Sequence, residues 1–263
     1  MPTAGLVQAE RAGYEEVLMK LKAIFFSVVI LSFIGIFPNI NLAHADVTIS
    51  CPNGQYDMLD WMTMDSSVRS TSHLTGTANP LYTTLYSDKF YWTKGSNGSP
   101  WDIQLYDSKY IYLWITEYSW NDPSSYKKST NNTNMPLTAR CSPGGFPGSA
   151  IKVSNTNYDI YTDCTHHTTH TLKKAVNEVW GPYSLSFGGS LPKNMSTLVA
   201  SYRYNCDNNY ANCGDKEEYY LSQKYGLVQW VHYTLVSGVY QQQQKSVFNQ
   251  LSSGVTVPKF QCL

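Results

Sequence analysis

Beyond residue 80 the chain alternates between short runs of β-branched and aromatic residues and clusters of Gly, Pro, Asn and Ser. Such runs fit a half-buried pleated surface, and the clusters supply turns. The pattern predicts strands over 81–85, 89–93, 101–106, 110–116, 151–153, 158–162, 183–187 and 198–204. A hairpin is predicted over 218–235, turning near 223–226. Residues 95–100 (GSNGSP) read as a turn, and the polar, Pro-punctuated stretches 121–140 and 142–148 read as loops. Helical periodicity is confined to 56–64, 172–180 and 241–251, with a polar strand or loop as the alternative over Gln241–Gln244. Many short strands and few helices predict a mainly β fold, a β-sandwich or jelly-roll-like single domain with a few short helices. No period repeats along the chain, which argues against propellers and solenoids.

The pattern before residue 46 is different. Residues 1–18 are polar and mixed in charge. Met19 then opens a stretch with Lys20 and Lys22, an apolar run over 23–37, and Ala43-His44-Ala45 as a small-x-small cleavage site. That order is the pattern of an export signal. The run falls short of the roughly 20 residues that span a bilayer. The expected organisation is a non-native or misannotated extension over 1–18, a signal peptide over 19–45, and one secreted β-rich domain over 46–263. The expected address is periplasmic or extracellular, with no membrane span after cleavage.

Charge and cysteine content sharpen this picture. The 19 Lys and Arg residues balance the 19 Asp and Glu residues. No basic block is present, which argues against nucleic acid as a partner. The 6 cysteines all follow the cleavage site. An even count in an exported chain implies three disulfides among Cys51, Cys141, Cys164, Cys206, Cys213 and Cys262. The expected pairs are Cys206–Cys213 across a short turn-rich loop, Cys141–Cys164, and Cys51–Cys262 clasping the two ends.

Two segments carry candidate chemistry. In the first, a three-residue turn at 107–109 would set Tyr106 opposite Tyr110, Gln104 opposite Tyr112 and Asp102 opposite Trp114. Side chains alternate along strands, so Ile103, Leu105, Ile111, Leu113 and Ile115 would form the core face. Asp102, Gln104, Tyr106, Tyr110, Tyr112 and Trp114 would then form a polar-aromatic face suited to stacking on a sugar and accepting its hydroxyl protons. The competing reading packs these rings into a second apolar layer. In the second segment, Arg203, Glu218, Gln229 and His232 are the catalytic candidates. Arg or Gln would neutralise a uronate carboxylate, and His or Tyr would move protons, as in a polysaccharide lyase. Glu217 and Glu218 are strand neighbours pointing oppositely, so they are not a glycosidase pair; Glu117 with Glu218, or Asp102 with Glu218, would be the arithmetic alternatives.

Other motifs point nowhere specific. His166, His167 and His170 lie in a Thr-rich stretch read as a polar loop, without the HExxH pattern. The oxygen-rich stretch 207–218 lacks EF-hand spacing. There is no GxSxG elbow. No metal and no cofactor are expected. The functional expectation is a secreted, disulfide-stabilised protein that binds glycans or host or cell-surface components. The alternatives are a secreted polysaccharide lyase or glycoside hydrolase, and a structural protein without a small ligand.

Overall fold

The computed structural model describes residues 48–69, 72–76, 81–86, 89–94, 99–116, 126–130, 136–143, 151–153, 156–161, 166–171 and 174–253. The chain forms two compact units, Met1–Ala43 and His44–Leu263, and the described residues all belong to the second. It opens with strand β1 (Gln55–Asp57) and helices α1 (Met58–Met62) and α2 (Ser66–Arg69). Seven strands follow: β2 (His73–Gly76), β3 (Leu81–Tyr86), β4 (Lys89–Lys94), β5 (Ser99–Tyr106), β6 (Tyr110–Thr116), β7 (Tyr126–Thr130) and β8 (Pro136–Ala139). Then come β9 (Cys141–Pro143), β10 (Ile151–Val153), β11 (Thr156–Tyr161) and β12 (His166–Thr171). The chain ends in long strands: β13 (Lys174–Leu185), β14 (Met195–Cys206), β15 (Cys213–Ser222), β16 (Gly226–Val236) and β17 (Val239–Ser252).

The fold is mainly β. One twelve-stranded antiparallel sheet runs β10-β13-β14-β15-β16-β17-β2-β3-β4-β5-β6-β8, beside a β12-β11-β7 sheet and the β1-β9 pair. The large sheet curls, so its end strands β8 and β10 approach each other. Two stretches of it pack face to face: the Trp92 ring of β4 stacks on Tyr219 of β15 with centroids 5.8 Å apart. Around that stack lie Phe90, Leu74, Leu81, Ile111, Leu198, Leu221, Val228 and Phe248. Helix α1 inserts Met58, Leu59, Trp61 and Met62 into this core. The indole N–H of Trp92 donates to the Met62 carbonyl at 3.1 Å, which satisfies a group that the core would otherwise strand. Fully burying each such side chain contributes about 1.5–3 kcal/mol.

Several expectations change. Of the expected helix 172–180, the described residues Lys174–Trp180 belong to β13, paired with β14 from Lys174↔Cys206 to Trp180↔Val199. Burial explains this: Asn177 and Val179 pack on the core face with Tyr202 and Ala200, a period of two that no helix would satisfy. Residues 241–251 are strand, because a two-residue turn at Ser237-Gly238, with φ of 51° and 79°, folds β17 back onto β16. Within the expected loop 121–140 lie β7 and β8, with Pro136 at the first position of β8, where a missing N–H is tolerated. The histidine stretch is also a strand, β12, held against β11; its Thr residues favour extended backbone. Of the 142–148 loop, Ser142 and Pro143 are in β9.

Among the described residues the disulfides are Cys206–Cys213, as expected, and Cys51–Cys141. The latter excludes both Cys141–Cys164 and Cys51–Cys262. Its cause is the β1–β9 ladder, which sets Asp57 opposite Cys141 and brings the preceding chain across it. Cys164 and Cys262 lie outside the described residues.

Candidate functional site

In the first candidate segment the turn is longer than expected. The Asp107 carboxylate accepts from the backbone N–H groups of Lys109 and Tyr110, and the Asp107 N–H donates to the Tyr110 carbonyl at 3.0 Å. Tyr106 therefore pairs with Ile111 and Gln104 with Leu113, and a further slip sets Asp102 opposite Thr116. A one-residue slip exchanges the two faces. Gln104 and Tyr106 are consequently buried with Ile111, and Gln104 is 0% exposed with neither amide atom hydrogen-bonded. Tyr110 and Tyr112 are half-buried on the other side of the register and meet edge to face at 5.9 Å. The Tyr112 hydroxyl donates to Asp107 Oδ2 at 2.8 Å. Burial and the Asp107 carboxylate push that phenol up to about 12. The side chains of Asp102 and Trp114, and all of Glu117, lie outside the described residues.

The second candidate segment occupies the long strands, whose side chains alternate between two faces. Lys216, Glu218 and Tyr220 of β15 share one face, where Tyr220 also packs against the core cluster, and the register sets Arg203, Ser201 and Val199 of β14 beside them. Tyr233, Val231 and Gln229 of β16 complete the other flank. Arg203, Glu218 and Gln229 thus share one face, while His232 pairs with Glu217 on the opposite face. Glu218 and Gln229 are both buried, at 7% and 8% exposure, while Lys216, Tyr220 and Tyr233 are half-buried.

Glu218 is the centre of this face. Its Oε1 accepts from Lys216 Nζ at 2.7 Å, and its Oε2 accepts from the hydroxyls of Tyr220 and Tyr233, each at 3.0 Å. The Lys216 ammonium lies over the Tyr233 ring, 4.0 Å from its centroid, and 5.1 Å from that of Tyr240. Ammonium over a ring face is attracted by the ring quadrupole. Next to it Arg203 Nη2 donates to Glu178 Oε1 at 3.1 Å. Two carboxylates and two cations cancel, leaving a charge-neutral face of rings, hydroxyls and amides. Burial, and then the Glu218 charge, raise both phenols, Tyr233 to about 12 and Tyr220 further. Both hydroxyls therefore stay protonated near neutral pH and serve as donors.

The core face also ends in polar groups. Glu217 accepts from the Tyr204 hydroxyl at 3.2 Å, the Trp230 indole at 3.0 Å, and the Tyr219 hydroxyl. Asp215, two residues earlier on that face, accepts from Asn205 Nδ2 at 2.7 Å and from the Thr234 hydroxyl at 3.2 Å. His232 Nε2 lies 3.4 Å from Asp215 Oδ1. The imidazole stacks nearly parallel on Trp230 at 6.2 Å. In the loop between β14 and β15, the Asp207 carboxylate is taken up by the backbone N–H groups of Asn209, Ala211 and Asn212, which makes it a turn brace.

The residues absent from the sequence-level site are Lys216, Tyr220, Tyr233, Tyr240 and Glu178. The period-two reading of Lys216, Glu218 and Tyr220 was available from β15 alone. The placing of Tyr233 and Glu178 beside them required the registers of two further strands. Searches with protein-family models, curated proteins and solved structures find no match to this chain.

Proposed function

We propose that this chain is an exported glycan-binding protein, and that the face centred on Glu218 is its binding surface. The observation that carries this reading is the neutral cluster of Glu218, Lys216, Tyr220 and Tyr233, flanked by Arg203, Glu178 and Gln229. Phenol rings offer flat apolar surface to a sugar ring, while hydroxyl, amide and carboxylate groups meet its hydroxyls. The two disulfides and the balanced charge fit a protein of an oxidising compartment, and among the described residues no helix is long and apolar enough to cross a membrane.

Binding is favoured over lyase chemistry for two reasons. His232, the best proton carrier of the candidate set, lies on the other face. The phenols beside Glu218 are held above their ordinary range, opposite to the lowering that a proton-abstracting tyrosine needs.

A glycan array, with each hit titrated in solution, tests the reading. Tyr233→Ala and Lys216→Met are expected to weaken binding at least about tenfold, the equivalent of 1.4 kcal/mol, with an unchanged circular dichroism spectrum. Tyr112→Ala tests the alternative surface of the first segment and is expected to bind as the parent does. An array without hits, undiminished binding by both variants, or release of reducing sugar or unsaturated uronate would overturn it.

A further inference from the structure

Strand β17 changes partner along its length: it pairs with β16 over Val239–Val247 and with β2 from Phe248↔Gly76 to Ser252↔His73. Earlier in its course its described partner is β16 alone. There Val239 and Gln241–Lys245 are exposed, Val239 at 64%, and only Tyr240 is half-buried. The pair Val236↔Val239 closes the two-residue turn, so the bonded and non-bonded pairs alternate from that point. Thr234 and Gln241 form the next bonded pair. The N–H and C=O groups of Tyr240 and Gln242 are then directed to the open edge.

The ladder slips after Gln242: Tyr233 pairs with Gln242 and His232 with Gln244, leaving Gln243 as a bulge. The Gln243 amide donates to the Gln241 carbonyl at 3.2 Å. A bulge bends a strand and ends regular pairing. The straight open edge is therefore Val239–Gln242. It is uncharged, and the nearest charge, Lys245, lies past the bulge. An open edge of this kind is a template for another strand.

We propose that the edge Val239–Gln242 pairs antiparallel with the same edge of a second copy of this chain, about a two-fold axis between the two Gln241 residues. In that register Tyr240 faces Gln242 of the second copy, and the reverse, so both residues with outward-directed backbone exchange hydrogen bonds. Gln241 meets its own counterpart in the non-bonded pair, where side chains stand closest. A primary amide is both donor and acceptor, so a glutamine is its own complement. No charge faces a like charge, since the two Lys245 ammoniums stay outside the paired stretch. The interface is isologous, which closes the assembly at two copies.

Sedimentation velocity on the purified, disulfide-bonded chain tests this. A short edge-to-edge contact gives a weak dimer, so the weight-average sedimentation coefficient is expected to rise between about 10 µM and 1 mM. Gln242→Pro removes an N–H directed to the open edge, and Gln241→Lys sets two ammoniums across the axis. Each is expected to weaken dimerisation at least tenfold while thermal unfolding stays near the parent's. Mixing Gln241→Lys with Gln241→Glu is expected to restore a dimer, a readout that general destabilisation does not produce. A coefficient that stays monomeric throughout, or dimerisation unchanged in both single variants, or a mixture that fails to associate, overturns the proposal.

Discussion

Two charged clusters in this molecule each pair a cation with a carboxylate beside tyrosine, and they are held in different ways. In one, Arg140 is 2% exposed and grips Asp57 with both Nε and Nη2, at 2.5 and 2.9 Å. Its Nη1 donates to the Asp107 carbonyl at 2.8 Å, and its guanidinium lies 5.2 Å from the centre of the Tyr106 ring. Asp57 also caps helix α1 through the Leu59 N–H. The neighbouring Cys141 is bridged to Cys51. In the other cluster, the side chains of Lys216 and Glu218 are 16% and 10% exposed, and the Glu218 carboxylate is shared with two tyrosines. The first cluster spends every donor on the fold. The second shares one carboxylate among a lysine and two tyrosines, on the face we propose for binding.

The disulfide beside Arg140 should produce the largest effect. It joins residues 90 apart in sequence, while Cys206–Cys213 joins residues 7 apart. In the chain-entropy model these loops correspond to about 4–5 and about 2 kcal/mol respectively. Changing Cys51 and Cys141 together to Ser is expected to lower the urea midpoint by about twice as much as the same change at Cys206 and Cys213. Equal losses would mean that the Arg140 region holds together without its covalent tie.

The strands were the legible part of this molecule, and the anchored cluster was not. Runs such as 81–85 and 110–116 announce themselves through β-branched and aromatic residues, because the pleated surface selects them locally. The Asp57–Arg140 pair joins residues 83 apart, and neither one stands in a distinctive motif. The same limit misassigned Cys51 and Cys141, whose bridge follows from the β1–β9 ladder. The candidate site was half legible. Arg203, Glu218 and Gln229 do share a face. The sugar-facing surface drawn from β5 and β6 depended on one turn length, and the Asp107 carboxylate, by bonding two backbone N–H groups, lengthened that turn and exchanged the faces.

The next expected effect compares the two clusters directly. Arg140→Met takes the buried cation from a half-buried Asp57, and removing one partner of a buried pair costs up to about 3–5 kcal/mol. Glu218→Gln keeps an acceptor for the hydroxyls of Tyr220 and Tyr233, and Lys216 keeps its ring contacts, so loss of the charge-assisted bond at this buried carboxylate is expected to cost less, about 1.5–3 kcal/mol. Urea unfolding of the two variants measures the difference. A Glu218→Gln variant as unstable as Arg140→Met would move Glu218 into the structural class and remove the basis for treating its face as a recognition surface.

The smallest effect separates the clusters by pH, because His73, the buried histidine whose pKa is lowered, belongs to neither. His73 of β2 is buried and stacks on Tyr82, with ring centroids 4.4 Å apart. Burial lowers its pKa from the ordinary value. Above about pH 6.5 the imidazole is neutral in both folded and unfolded chains, and its contribution to stability is fully present. As pH falls below that value the unfolded chain takes up a proton that the folded chain refuses, so stability is lost until the folded pKa is reached, at no more than about 1.4 kcal/mol per pH unit. The Asp107 carboxylate is also lowered, by its backbone and Tyr112 hydrogen bonds outweighing burial, but its loss begins only near the ordinary carboxylate range, around pH 4. Urea midpoints at pH 7.5, 6.5 and 5.5 should therefore fall in the parent and stay nearly level in His73→Phe, while glycan binding at pH 6.5 and 5.5 stays the same in both proteins under folding conditions. A pH slope that persists without His73 would place the titrating group elsewhere, and binding that falls in step with the loss of stability would tie the Glu218 face to the β2 edge of the core.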